Sequence, residues 1–303
     1  MMAVNRRKSV FYILAALTVL ALSATVFSLG IYQGGWDNPA TDIFLKVAPL
    51  PAAVVEGKVI FISEVNRMLS AFQKAVAYQA EFDFSSIAGG EALARQKEQI
   101  LRALIENALI AGIADERGVE VAASELESYY QYLLPRFEIN PQDSTAQIRE
   151  IFGWRKQEFI RRIVRPDLLR AKISVKLLEE APDPQAISRV EFIRNEIARG
   201  VDFGFLAGEF SDDEESRFAQ GELGFFAKKD LPPWFEERAF ALGEGDVSGT
   251  VLSPDGYHVL KVLFRDDERN PAQIQLAHIL VASDPLSELL ESRRNLAKIY
   301  VRR

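Results

Sequence analysis

Residues 203–262 constrain the fold most, because signals for helices, strands and turns follow one another there at short spacings. The predicted elements are a helix, a short strand, a second helix and two strands, over 205–210, 223–226, 232–242, 247–252 and 257–263. Two prolines open the second helix, where a missing N–H group costs little, and Gly243 ends it. The last two strands flank a turn at 253–256. The stretch therefore predicts a compact α+β unit.

The same stretch resembles the parvulin family of peptidyl-prolyl isomerases. The resemblance is carried by five segments, namely SDD from Ser211, GELGFF from Gly221, LPPWFEERAFAL from Leu231, GDVSG from Gly245 and GYHVLKV from Gly256. It implies an antiparallel sheet with helices, and acceleration of cis-trans isomerisation at X-Pro bonds. Rotation about a peptide bond needs neither a nucleophile nor a cofactor, so we predict no cofactor.

The resemblance also implies the site residues. The proline pocket maps to Leu223, Leu231 and Phe235, with Phe226 behind them. The catalytic candidates are Asp213, His258, His278 and Ser253. In the family, a polar group at the position of Asp213 lies near the rotating carbonyl, and the two histidines face each other across adjacent strands.

Each candidate also has a structural explanation. The four pocket residues can be plain core, Asp213 can belong to a solvated turn, and Ser253 can serve its own turn. The histidine pair can hold the sheet together without taking part in chemistry. No metal site is predicted, because the chain has no cysteine and only two histidines.

One strand of the parvulin pattern comes at an unexpected place. The family begins with a strand of the HILV type, whereas here that pattern covers 273–281, after the last expected strand. We interpret the sheet as circularly permuted, with this strand folding back beside 257–263. The alternatives are a truncated second domain, or a first strand supplied by 171–178. Residues 282–285 replace the basic loop of phosphate-selecting parvulins, so selectivity for phosphorylated substrates is not predicted.

The N-terminus carries the signals of a membrane anchor. Residues 9–36 contain no charge, and the apolar core over 10–32 is long enough to cross about 30 Å of hydrocarbon. Basic residues precede it, which predicts a single-pass membrane protein with an extracytoplasmic C-terminal bulk. The rival interpretation is a signal peptide cleaved near Ala24; the apolar run continues past that point, which favours an uncleaved anchor.

The segment that follows is predicted to be mainly helical. A hairpin turning at 56–57 precedes helices with proposed caps at Ser63 and at Ser124, the latter forming a capping box with Glu127. Between them a helix is predicted over 96–117. The helical stretch 156–180 is expected to be interrupted at Pro166. This order resembles the N-terminal domain of SurA- and PrsA-type chaperones; a helical spacer is the alternative.

The whole chain is thus predicted to be an α+β protein with five segments. These are a cytoplasmic tip with a transmembrane anchor, a linker, a SurA-like helical domain, a parvulin-like domain and an amphipathic C-terminal helix, over 1–36, 37–51, 52–182, 183–284 and 285–303. A net charge of −7 predicts no nucleic-acid partner.

The predicted function is that of a membrane-anchored foldase. Its partners would be unfolded or nascent exported polypeptides containing X-Pro bonds, and the lipid bilayer through the N-terminal helix. The alternative is a catalytically inactive parvulin-like holdase that binds clients through exposed aromatic side chains at Tyr129, Tyr130 and Trp154. An open pocket on which Asp213 and His258 converge would favour the enzyme.

Overall fold

A computed structural model describes residues 25–26, 28–31, 39–47, 49–296 and 299–301. It contains two compact units, one formed by the described residues up to Ala108 together with 299–301, the other by Leu109–Leu296. The predicted anchor over 10–32 lies almost wholly outside the described residues. Among the residues that are described, no helix is both long and apolar enough to span a bilayer.

The first unit has a three-stranded antiparallel sheet of order β2-β1-β7. Its elements are α1 Pro39–Val47, β1 Pro51–Val55, β2 Lys58–Phe61, α2 Ile62–Gln79 and β7 Ile299–Val301. The predicted turn is confirmed, since Glu56 and Gly57 both have positive φ, 49° and 84°. The predicted cap at Ser63 is wrong: the helix starts one residue earlier, directly from β2, where Ile62 N–H donates to Leu50 O.

Helix α3, Ile87–Arg117, begins nine residues before the predicted start at Gln96. Its first turn is capped by Ser86, whose hydroxyl oxygen accepts a hydrogen bond from Gly89 N–H at 3.0 Å. The early turns lack the apolar stripe on which the prediction depended. The predicted end is confirmed, with Gly118 at φ 62° directly after Arg117.

The α-helices that follow α3 in the second unit are α4 Ala123–Leu133, α5 Ser144–Phe152, α6 Lys156–Phe159 and α7 Arg165–Glu180. The predicted capping box of Ser124 and Glu127 is wrong: the N-cap is Ala122, which has no side-chain acceptor, and only its N–H donates to Glu125 Oε2 at 2.7 Å. The predicted interruption at Pro166 is a widened π turn over Ile160–Val164 that joins α6 to α7. Such a turn makes room for the proline ring, so the helix continues.

A four-stranded antiparallel sheet of order β3-β6-β5-β4 forms the centre of the rest of this unit. Its strands are β3 Glu222–Ala227, β4 Val247–Ser253, β5 Gly256–Asp266 and β6 Gln273–Ala282. Strand β6 folds back beside β5 as predicted, and the α+β class is confirmed. Residues 171–178 belong to α7, so the alternative that they supply a strand is wrong. The circular permutation stays an interpretation.

Helices cover both faces of this sheet. Helices α8 Pro184–Ala198 and α9 Phe203–Phe210 pack on one face, against Val259 and Ile279 among others. Helix α11, Pro233–Phe240, packs on the other face against Leu260 and Leu276. The short helix α10, Glu214–Arg217, follows α9. The predicted amphipathic helix over 285–303 is α12, which covers Pro285–Leu296; the prediction is wrong for 299–301, which form the strand β7.

Candidate active site

A cleft of about 1060 Å³ opens on the face of the sheet that carries α11. Seven of the eight predicted site residues line it, namely Asp213, Leu223, Phe226, Leu231, Phe235, His258 and His278. The eighth, Ser253, is fully buried behind His258. The structure therefore brings all the predicted residues together at one place.

The apolar part of the cleft is built by β3 and by the start of α11. Leu223 and Phe226 are half-buried on β3, whereas Leu231 and Phe235 are buried in the same core cluster. The Phe235 ring meets the His258 ring edge to face, at 4.7 Å between centroids. These residues thus belong to the core and also line the cleft, and their role as a proline pocket stays a prediction.

The two histidines meet because of the register of β5 and β6. His258 pairs with Leu280 and His278 pairs with Leu260, which makes the histidines diagonal neighbours on one face. Their Nδ1 atoms are 3.1 Å apart, and the residues are only 2% and 6% exposed.

A chain of hydrogen bonds runs through this pair. His278 Nε2 lies 2.8 Å from Asp213 Oδ2, and His258 Nε2 lies 2.7 Å from Ser253 Oγ. An ionised carboxylate only accepts, so His278 Nε2–H donates to Asp213. With both rings neutral, His258 Nδ1–H then donates to His278 Nδ1, and the Ser253 hydroxyl donates to His258 Nε2. One proton arrangement satisfies every member of the chain.

The loop that carries Asp213 is tied to β6 by its two preceding residues. Ser211 Oγ accepts from Leu280 N–H at 3.1 Å, and the Asp212 carboxylate accepts from Ala282 N–H at 2.8 Å. Asp212 also forms an ion pair with Arg189 at 2.9 Å, so it is a fixed part of the loop. This anchoring places Asp213 beside His278.

Sequence reasoning missed Ser216. Its hydroxyl donates to Asp213 Oδ2 and lies 3.1 Å from His278 Nε2. Asp213 is the N-cap of α10, and a residue three positions after an N-cap lies within reach of it. That spacing was the available signal.

Two family descriptions match this chain. Residues 172–263 match the PPIC-type PPIASE domain, and residues 1–140 match the SurA-like N-terminal domain. The chain therefore carries a PPIC-type domain behind a SurA-like domain. The matched PPIC-type segment ends before β6, so it contains His258 but not His278.

Curated relatives bear the same two kinds of name. The foldase protein PrsA of Halalkalibacterium halodurans is 28% identical over 57% of this chain and 59% of its own length. PrsA of Oceanobacillus iheyensis is 30% identical over 48% and 54%. The chaperone SurA of Pseudomonas syringae pv. syringae is 23% identical over 86% and 69%. The chain thus spans little more than half of the two PrsA proteins.

A solved structure also aligns with the chain. It is the peptidylprolyl isomerase PrsA of Bacillus anthracis, which aligns with 65% of this chain and 87% of its own at 20% identity. The TM-score is 0.24, which is too low to establish a shared fold.

The surroundings of the PPIC-type site shift the pKa values of Asp213 and His258. Burial alone would raise the pKa of Asp213, but the hydrogen bonds from Ser216 and His278 outweigh burial and hold it below the ordinary value. Burial and the neighbouring His278 lower the pKa of His258 to about 3. The carboxylate is therefore ionised and His258 neutral at pH 7, as the hydrogen-bond chain requires.

We expect acid to destabilise the PPIC-type domain from pH 6.5 downward. The unfolded chain protonates His258 near pH 6.5, whereas the folded chain resists protonation down to about pH 3. Stability is therefore complete above pH 6.5 and falls by roughly 1.4 kcal/mol per pH unit below it. The lowered pKa of Asp213 also stabilises the fold, and that stabilisation is lost only below pH 3.8, the ordinary pKa of the group.

Urea denaturation between pH 7.5 and 4.5, followed by tryptophan fluorescence, measures this slope. A His258→Gln variant is the control and should show a flatter profile. A His258 ring that titrates near pH 6.5 in an NMR experiment on the folded protein would contradict the expectation.

The aromatic residues proposed as a client surface do not form one. Tyr129, Tyr130 and Trp154 are all buried, so that prediction is wrong. Tyr129 and Tyr130 stand four residues before Leu133 and Leu134, so each tyrosine shares a helical face with a leucine, and that face is packed inside. Tyr129 does line the cleft, together with other residues of α4 and α7 that the sequence did not suggest.

Proposed function

We propose that this chain is a peptidyl-prolyl cis-trans isomerase that acts on X-Pro bonds of unfolded polypeptides. The observation that carries the proposal is an apolar pocket next to the chain Asp213–His278–His258–Ser253, in an open cleft. The PPIC-type match and the foldase names of the relatives support it.

The pocket would hold the proline ring against Leu223, Leu231 and Phe235. Isomerisation has to overcome about 18 to 20 kcal/mol of resistance to rotation. Fixing the ring while the rest of the client turns lets the enzyme bind the twisted amide better than the planar one. Ser253 is fully buried, so it positions His258 rather than attacking the substrate.

Asp213 would supply the electrostatic part of the catalysis. A planar amide carries negative charge on its oxygen through resonance, and twisting the bond returns that charge to nitrogen. A partly exposed carboxylate near the oxygen therefore disfavours the planar form more than the twisted form. The histidine pair would hold Asp213 in place and in its ionised state.

The test is a protease-free isomerisation assay on the full chain with a short Ala-Pro peptide. We expect wild type to accelerate isomerisation and Phe226→Ala to lower kcat/KM about tenfold, since the aromatic ring that backs the pocket is lost. Phe225→Ala is the matched control: it removes the neighbouring ring, which is 55% exposed and lies outside the cleft. Equal activity of Phe226→Ala and wild type would reject the pocket.

The cellular setting follows from the sequence. We infer that the N-terminal segment anchors the chain in a membrane, that the bulk lies on the extracytoplasmic side, and that clients are exported polypeptides. Proteolysis of intact and lysed cells that express the full chain tests the orientation. An absence of acceleration by well-folded wild type, across several residues before the proline, would instead support the holdase.

A further inference from the structure

The cleft has a second wall that belongs to the helices before the sheet. Tyr132, Leu133 and Arg136 come from α4 and the turn after it, and Asp167, Arg170 and Ser174 from α7. All of these residues lie in the same compact unit as the proline pocket. The site is therefore bounded by the sheet on one side and by helices on the other.

This helical wall is fixed to the pocket by aromatic contacts. The Trp234 ring lies 6.0 Å from Tyr129 and 6.4 Å from Tyr132, between centroids, and Trp234 directly precedes the pocket residue Phe235. Tyr129 O–H donates to Asp167 at 2.8 Å, which ties α4 to α7. Because these rings pack together, the wall is held in place before a client arrives.

Arg136 is the wall residue best equipped to bind a client. Its guanidinium lies 3.8 Å above the Tyr132 ring, and Nη1–H donates to Tyr132 O at 3.2 Å. The residue is exposed, and it forms no ion pair with any residue that the structure describes. A guanidinium has five N–H donors, so several remain for a ligand in the cleft.

The cleft has room for more than a proline ring. At about 1060 Å³ it matches the upper end of sites that enclose a drug-sized ligand, roughly 300 to 1,000 Å³. A proline ring fills only a small part of this space. The residues before and after the proline are what can occupy the rest.

We propose that the cleft binds an extended client segment of several residues, with the proline in the pocket and a flanking backbone carbonyl on Arg136. The inference rests on the proposed isomerase function and adds to it a residue of the helical wall, Arg136, that binds the client backbone next to the proline. A backbone carbonyl is present in every client, so this contact adds affinity without requiring a particular sequence.

The test compares a tetrapeptide containing one Ala-Pro bond with a decapeptide that extends it by serine and glycine on both sides. We expect wild type to give a kcat/KM at least about tenfold higher for the decapeptide. Arg136→Ala should lower kcat/KM for the decapeptide about fivefold more than for the tetrapeptide, the effect of one partly exposed charge-assisted hydrogen bond. Arg149→Ala, an exposed arginine on α5 outside the cleft, is the matched control.

Equal kcat/KM for both peptides in wild type would overturn the inference, as would equal losses for both peptides in Arg136→Ala. Acceleration of neither peptide would reject the isomerase function itself. In that case fluorescence anisotropy with a labelled decapeptide decides the inference separately. Weaker binding by Arg136→Ala than by Arg149→Ala supports a client contact at Arg136 of the helical wall, and equal binding rejects it.

Discussion

An Asp213→Ala variant is expected to lose about a hundredfold in kcat/KM toward a short Ala-Pro peptide while it stays folded. The substitution removes the charge that disfavours the planar amide, and it removes the acceptor of His278 Nε2–H. His278 can then adopt either tautomer, so the order of protons along the chain to Ser253 is no longer fixed. Asp213 is only partly buried, so the fold should tolerate the loss.

Two further variants separate the charge of Asp213 from its shape. Asp213→Asn keeps an oxygen that can accept from His278 and should retain intermediate activity. Glu214→Ala removes the neighbouring exposed acid, which lies outside the cleft, and should behave like wild type. Full activity of a folded Asp213→Ala variant, measured from pH 6 to 8, would show that the carboxylate belongs only to the turn.

A Gly221→Ala variant is expected to lower the free energy of unfolding of the PPIC-type domain by about 4 kcal/mol or more. Gly221 has φ 81°, which an alanine adopts only with strain. A Cβ atom there would lie 2.4 Å from His278 O and 3.0 Å from Ala207 Cβ. Moving β6 away from residue 221 would relieve that contact. The same movement would break the hydrogen bond that His278 N–H donates to Gly221 O at 2.8 Å.

Gly224→Ala provides the matched control for this clash. Gly224 also has positive φ, 99°, but a Cβ atom there would meet nothing within 4 Å. That variant should lose only the cost of backbone strain, about 1 to 2 kcal/mol. Chemical denaturation of both variants gives the difference. Similar losses for the two would mean that backbone strain, rather than contact with His278, sets the cost.

Local signals predicted the strands of the sheet well. Three local signals each favour one conformation strongly. They are the turns at 56–57 and 253–256, the prolines before α11 and the alternation in β4 to β6. Resemblance to a family supplied the site residues, and the register of β5 and β6 explains why the histidines meet. These features depend on neighbours in sequence or on fixed strand pairing.

Features that depend on packing between distant elements were not predictable. Nothing in the sequence around Tyr129 or Tyr132 indicates that Trp234, about a hundred residues later, packs on them. The proposed caps at Ser63 and Ser124 fitted the capping pattern, yet both helices start earlier, where Ile62 N–H donates to Leu50 O and Ala122 N–H donates to Glu125 Oε2. Cap preferences are weaker than such contacts.

The position of β6 decides when the site can assemble during synthesis. β6 lies between β3 and β5, although it leaves the ribosome after both of them. The hairpin of β4 and β5 can form as soon as it emerges, but β3 is not fully paired until Ala277 of β6 has been made. Since chains fold from the N-terminus as they emerge, nascent chains that stop before β6 carry helices and a hairpin, but neither a complete sheet nor a histidine pair.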